Sequence, residues 1–198
     1  MPRLGYLASI KGQSSAVAMT AEATTATGNI SYQITNSAKR ILDLNTAVVV
    51  NVAGSPVTTG FAINYLTGTV TFETTATRTV TITGAYVVLT AIADGKSFSF
   101  TGTRETLDKT VFKDTFKGFE AGLLSGTAEI GRLYVNDVYF LDWLLDGTVK
   151  VIEFYVADAV TPIRFYAILT GDNTEATVEG LVEESLSFQI TKELGGLI

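Results

Sequence analysis

Residues Lys96 to Thr106 read KSFSFTGTRET, and residues Ser185 to Glu193 read SLSFQITKE. Polar and apolar residues alternate in both stretches, so that Phe98 and Phe100 fall on one side of the first. Because successive side chains of a strand point to opposite faces of its sheet, the alternation predicts two amphipathic β-strands. Each has a polar, hydroxyl-rich face that ends in a carboxylate.

The polar faces of these two strands contain carboxylates but no basic residue, because Arg104 and Lys192 fall on the opposite face by the same alternation. The residues of the predicted polar face are Ser97, Ser99, Thr101, Thr103 and Glu105 in the first strand, and Ser185, Ser187, Gln189, Thr191 and Glu193 in the second.

The rest of the chain also has mostly strand patterns. Runs rich in β-branched residues and separated by Gly, Pro and Ser predict a meander with strands at Ala47 to Val52, Val57 to Leu66, Thr69 to Glu73 and Arg78 to Leu89. Thr148 to Ala157 and Pro162 to Thr170 are nearly continuous apolar runs, which predict strands covered on both faces. Gln13 to Asn29 has no clear pattern and is expected to be an extended arm or loop.

One helix is predicted, at about residues 135–146. Asn136 is its expected cap and Gly147 its expected stop. The helix is expected to be buried nearly all round, because its polar stripe is narrow and consists of Tyr139, Asp142 and Asp146.

Composition excludes several classes of function. The 198 residues include no histidine and no cysteine, which rules out zinc fingers, cysteine nucleophiles, disulfides and serine–histidine–aspartate triads. Lys and Arg number 14 against 20 Asp and Glu, and a net charge of −6 disfavours a protein that grips nucleic-acid phosphates. The sequence predicts no enzymatic activity, no catalytic residue, no metal and no cofactor.

No apolar run approaches the roughly 20 residues of a membrane-spanning helix, so no membrane partner is predicted either.

Charge and hydropathy divide the chain and predict self-association. Residues 1–92 carry five basic and three acidic groups, whereas residues 93–198 carry nine basic and seventeen acidic groups. We therefore expect an arm and β-meander in residues 1–92, which could be woven into the rest of the fold, and a β-rich core with the helix in residues 93–198.

With 17% charged residues and a mean hydropathy of +0.31, the chain is expected to hide apolar surface in an obligate oligomer.

Two alternatives use other residues. Trp143 and Tyr139 would provide a stacking surface in a carbohydrate-binding or adhesin-type β-sandwich. An enzyme without histidine and cysteine would depend on carboxylates, such as Glu183 with Glu184.

The order of features resembles the major tail tube proteins of long-tailed, siphophage-like bacteriophages. The resemblance covers most of the chain and is firmer after residue 93. It rests on Tyr32 to Asn45 (YQITNSAKRILDLN), Asn64 to Phe72 (NYLTGTVTF), Asp94 to Thr110 (DGKSFSFTGTRETLDKT), Phe112 to Leu124 (FKDTFKGFEAGLL), Tyr139 to Gly147 (YFLDWLLDG), Val151 to Val156 (VIEFYV), Arg164 to Leu169 (RFYAIL) and Val178 to Ile190 (VEGLVEESLSFQI).

This resemblance implies the tail tube fold, a β-sandwich with one packed helix whose strands join an inner β-barrel between subunits. It implies a structural virion protein that forms hexameric rings, which stack into a conduit for DNA delivery. The implied partners are further copies of the chain, a tape measure protein, tail tip and terminator proteins, and double-stranded DNA in non-specific passage. The implied location is the virion tail, after assembly in the host cytoplasm.

On this interpretation the predicted polar face lines the lumen. Its hydroxyl groups and carboxylates would repel the duplex, whereas basic residues would hold it through its phosphates. A barrel shared between subunits also pairs strand edges that a single sandwich leaves open.

The loop from Thr106 to Lys117 mixes apolar and charged residues, and apolar residues in a polar loop need a partner surface. In the family the corresponding loop helps rings to stack. The alternative is a loop folded back on its own sandwich. The residues assigned to stacking are Leu107, Asp108, Lys109, Val111, Phe112, Lys113, Asp114 and Phe116.

Overall fold

The computed structural model describes residues 9–93, 95–113, 115–133, 138–155, 162–175 and 182–195. Within these ranges the chain forms one α-helix and twelve strands, so it is mainly β, as the sequence predicts. The elements are β1 (Ser9–Ala26), β2 (Ser31–Ile34), β3 (Val49–Val52), β4 (Ser55–Val57), β5 (Phe61–Asn64), β6 (Thr69–Phe72), β7 (Val80–Ala93), β8 (Gly95–Asp108), β9 (Phe119–Leu133), α1 (Tyr139–Asp146), β10 (Lys150–Tyr155), β11 (Ile163–Glu175) and β12 (Glu183–Gly195). No helix in the described ranges is long and apolar enough to cross a membrane.

The chain divides into two compact units. Of the described residues, the first unit takes in 9–93, 149–155, 162–166 and 192–195, and the second takes in 95–113, 115–133, 138–148, 167–175 and 182–191. Residues 149–155 belong to the first unit, where β10 pairs with β1 from Ser9 to Gly12. The division at residue 92 into an arm with a meander and a β-rich core stays a prediction.

The first unit has two packed sheets. The larger sheet has the strand order β4-β3-β7-β1-β10, and the smaller one joins the end of β1 to β2, β6 and β5. Val50 and Ile82 of the larger sheet and Ile34 and Val70 of the smaller one are fully buried in a shared core. The Thr and Val alternation predicts this arrangement, because every second residue of such a strand faces the core.

Two expectations for the first unit are wrong. The segment from Gln13 to Asn29 is mostly strand, since β1 pairs with β7 over most of its length. It lacks alternation because residues 14–18 are all exposed. The expected strand from Val57 to Leu66 is interrupted near Gly60, whose φ of 77° lies in the left-handed region, and β4 and β5 result.

The second unit is a sheet with the order β11-β12-β9-β8, covered on one face by α1. Phe140 and Trp143 of α1 contact Phe188 of β12, with ring centroids 6.4 and 5.4 Å apart. β8 lies at the edge of this sheet. Within the described ranges, β9 is its only paired neighbour.

The helix differs from its expectation. It begins at Tyr139, and the expected cap Asn136 lies outside the described residues. Its stop is confirmed, because Gly147 has a φ of 61° and its N–H donates to the Trp143 carbonyl at 3.1 Å. The expectation of burial nearly all round is wrong, since Leu141 and Leu145 are 49% and 76% exposed.

Candidate functional site: the hydroxyl face and the hairpin arm

The pairing of β8, β9 and β12 collects polar side chains on one face of the second unit. Glu129 of β9 lies between Ser99 and Ser187, and Thr127 lies between Thr101 and Gln189. Cross-strand partners in antiparallel strands share a face. We call this solvent-facing surface the hydroxyl face. It consists of Ser97, Ser99, Thr101 and Thr103 of β8, Ser125, Thr127 and Glu129 of β9, and Ser185, Ser187, Gln189 and Thr191 of β12.

The opposite face of the same strands is apolar, and its burial fixes the orientation of the hydroxyl face. Ala128 lies between Phe100 and Phe188 on neighbouring strands, and both Ala128 and Phe188 are buried. A slip of one residue in register would expose these side chains and bury the hydroxyl groups. The polar face is therefore specified by the core on its other side.

Hydrogen bonds tie parts of the hydroxyl face to the sheet. The hydroxyl groups of Thr103 and Ser125 lie 2.7 Å apart, and the Gln189 side-chain amide donates to the Gly126 carbonyl at 2.9 Å. Glu129, near the centre, is the one ionisable residue among these eleven. Glu183, two residues before Ser185, extends the same side of β12 and pairs with Lys96. The eleven residues present hydrogen-bonding groups and a negative charge, and none of them is a cation that could hold phosphate.

The predicted polar face corresponds to the hydroxyl face except at two residues. Glu105 lies at a bulge, where the register between β8 and β9 shifts between Arg104 and Thr106, so simple alternation does not assign its face. Arg104 and Glu105 are both exposed. Glu193 lies in β12, but its side chain is outside the described part of the chain. The role of the whole predicted polar face in lining a lumen stays a prediction.

β9 adds Ser125, Thr127 and Glu129 to the face, three residues outside the predicted polar face. Their sequence carries a signal, because these polar residues alternate with Gly126, Ala128 and Ile130, all of which are buried. The signal is weak because glycine and alanine are unusual in strands. They fit here because bulky side chains flank them, and a Cβ on Gly126 would lie 3.2 Å from Ile190 Cδ1.

Beyond Phe100, β8 and β9 continue as a hairpin whose side chains have little cover. We call residues 104–124 the hairpin arm and residues 109–118 its tip. Every described residue from 101 to 113 is exposed. The exposed apolar side chains of the arm are Leu107, Val111, Phe112, Phe116, Phe119, Leu123 and Leu124.

The expected loop from Thr106 to Lys117 is shorter than predicted, because β8 runs to Asp108. At the tip, the Thr110 hydroxyl and N–H donate to Asp108, and these bonds lower the pKa of that carboxyl. Phe112 is fully exposed and Phe116 is 88% exposed, so the alternative in which the loop folds back on its own sandwich is wrong for them. Asp114 lies outside the described residues. The stacking role of the loop stays a prediction.

The central residue proposed for sugar stacking, Trp143, is unavailable. Trp143 is 0% exposed, and its indole N–H donates to the Thr148 carbonyl at 2.7 Å. Burial raises the pKa of Tyr139, and the nearby Asp146 charge raises it further. A carbohydrate-binding surface that includes Trp143 is therefore wrong.

The two glutamates considered for an enzyme have different surroundings. Glu184 is buried and pairs with Arg132, which lies directly opposite on β9, whereas Glu183 is exposed and pairs with Lys96. Burial raises the pKa of Glu184, while the Arg132 guanidinium opposes the shift and Asp172 adds to it. Because adjacent residues of a strand face opposite ways, the two carboxyls do not converge on one substrate.

No protein-family model and no curated protein matches the chain. Two similar solved structures are the tail of an empty gene transfer agent particle with C6 symmetry and the virion of a native gene transfer agent particle. In both cases the identity is 14% and the TM-score 0.49, with 56% of this chain covered. The covered shares of those chains are 87% and 89%. Similarity at this level does not establish a common function.

Proposed function

We propose that the chain is a structural subunit of a phage-like tail tube, in which hexameric rings stack into a conduit for double-stranded DNA. In this proposal the hydroxyl face lines the bore, and the hairpin arm joins neighbouring rings. The tube would enclose a tape measure protein during assembly and end at tail tip and terminator proteins. The subunit would be assembled in the host cytoplasm and remain in the virion tail.

The observation that carries the proposal is the position of β8. It is a strand of 14 residues at the edge of its sheet, and it presents the hydroxyl face on one side. A long open edge favours pairing with another chain, since its N–H and C=O groups would otherwise bond only to water. Pairing with a neighbouring copy would extend the hydroxyl face from subunit to subunit and close it into a barrel.

The chemistry of the hydroxyl face suits a conduit. Each phosphate that a Lys or Arg neutralises adds salt-dependent affinity, which would slow a passing duplex. The hydroxyl face carries Glu129 and neither Lys nor Arg, and the neighbouring Lys96 is paired with Glu183, so the face would keep the duplex at a distance while remaining wetted.

Electron microscopy of the purified protein over a series of concentrations tests the proposal. We expect rings, or rods with a continuous central bore, at high concentration. A chain that stays monomeric at high concentration, even when seeded with a tail-tip complex, would contradict the proposal.

A further inference from the structure

The tip of the hairpin arm combines apolar and basic side chains. Phe112 and Phe116 are almost wholly exposed, and the exposed Lys109, Lys113 and Lys117 outnumber Asp114, the one acidic residue in the sequence of the tip. A surface of this kind fits a partner that offers both apolar area and negative charge.

The outer face of α1 has the complementary composition. Leu141 and Leu145 are exposed there beside Asp142, and the helix contains no basic residue. Its inner face is fixed by the buried Phe140 and Trp143. The outer face is therefore a firmly anchored, apolar and acidic surface that the described residues leave uncovered.

The tip and α1 are far apart along the sheet. The guanidinium of Arg132 lies 4.4 Å from the centre of the Phe140 ring, and Phe188 under α1 pairs with Ala128, so α1 covers β9 near residues 128–132. The tip adjoins Phe119, at the other end of β9. At about 3.3 Å per residue, the stretch from Phe119 to Ile130 spans about 36 Å. Both surfaces are exposed in the same molecule, so they do not cover each other within one chain.

We infer that the tip of one copy docks on the outer face of α1 in a copy of the adjacent ring. The inference rests on the proposed function and names the surface that receives the arm. A shift of about 36 Å along β9 brings the tip of one molecule to α1 of the next. Each copy contacts the ring on one side through its tip and the ring on the other side through α1. Such a head-to-tail contact repeats into an open stack.

Charge reversal tests the contact, because both sites are exposed and such changes seldom disturb folding. Lys113→Glu and Asp142→Lys are made singly and together, and Glu73→Lys serves as a charge-reversal control in the first unit. We expect each single variant to form rings but to need an approximately tenfold or higher protein concentration for rods, since like charges then meet at the contact. The double variant, with the charges exchanged, should return to the wild-type concentration, and the control should match the wild type.

The outcomes separate this inference from the proposed function. Wild-type rods together with single variants that stack normally would overturn the contact and leave the tube intact. Impaired single variants without rescue in the double variant would place the arm on another surface and also overturn the contact. Absence of rings and rods in the wild type would overturn the proposed function itself. Circular dichroism of each variant verifies that the strand content is unchanged.

Discussion

At the level of single residues, the two ion pairs of β12 provide a matched comparison. Arg132 and Glu184 have side-chain exposures of 1% and 3%, whereas Lys96 and Glu183 have 56% and 55%. Arg132→Met leaves a buried carboxylate without its cation, and we expect a loss of about 3–5 kcal/mol in the free energy of unfolding. Lys96→Met should cost less than about 1 kcal/mol, because water screens an exposed pair. Urea denaturation measures the free energy of unfolding of both variants. Equal losses would contradict the assignment of Arg132 and Glu184 as the buried pair and of Lys96 and Glu183 as the exposed pair.

The pKa of Glu184 gives a second prediction at this level. Burial raises this pKa above the ordinary value of 4.5, so the folded state holds the proton more tightly than the unfolded state. The resulting stabilisation is complete below the unfolded pKa and is lost as the pH rises through the folded pKa. Urea midpoints between about pH 4 and 7 should therefore fall less with rising pH in Glu184→Gln than in the wild type. Parallel pH profiles would show that Glu184 does not titrate in this way.

At the level of elements, β9 depends on small residues between large ones. Ala128 lies between Phe100 and Phe188, so Ala128→Leu should force these rings apart and cost about 1–3 kcal/mol. Thr127→Leu introduces the same side chain one residue away, on the exposed hydroxyl face. Its effect should stay within about 0.5 kcal/mol. Thermal unfolding compares the two variants, and a larger loss for Thr127→Leu would indicate that the face assignment is reversed.

The elements also show what the sequence could predict. The alternation in β8 and β12 predicted their faces, because one face of each strand packs against a core. Alternation does not identify β9, because side chains of the neighbouring strands fill the core on the side where β9 has small residues. For α1, hydropathy predicts too much burial. Leu141 and Leu145 are apolar and would be assigned to the core of a single chain, but both are exposed. Hydropathy indicates that a surface will be covered, but not whether the cover belongs to the same molecule.

At the level of the assembled molecule, the negative charge of Glu129 would repel DNA from the wall of the proposed bore. Glu129→Lys places a cation in the hydroxyl face of every copy, and each phosphate it neutralises adds salt-dependent affinity. Tubes of this variant should retain short duplex DNA at low salt and release it as the salt concentration rises. Glu73→Lys makes the same charge change in the first unit and should leave DNA retention at the wild-type level. Sedimentation of tubes with labelled DNA measures retention, and equal binding by the two variants would exclude Glu129 from the bore.

In the proposed tube, stacking of the rings would depend on the exposed phenyl rings at the tip of the hairpin arm. Burying one such ring contributes about 1.5–3 kcal/mol, so Phe112→Ser with Phe116→Ser removes about 3–6 kcal/mol from each contact. At 1.4 kcal/mol per tenfold change, rods should require more than about a hundredfold higher protein concentration, while rings still form. Val17→Ser with Val49→Ser removes side chains that are 39% and 41% exposed in the first unit and should leave rod formation unchanged. Electron microscopy at matched concentrations distinguishes rings from rods. Normal rods from the variant with Phe112→Ser and Phe116→Ser would mean that the arm makes no contact between rings and extends into solvent. That arrangement is unfavourable, because it leaves the apolar side chains of the arm exposed to water.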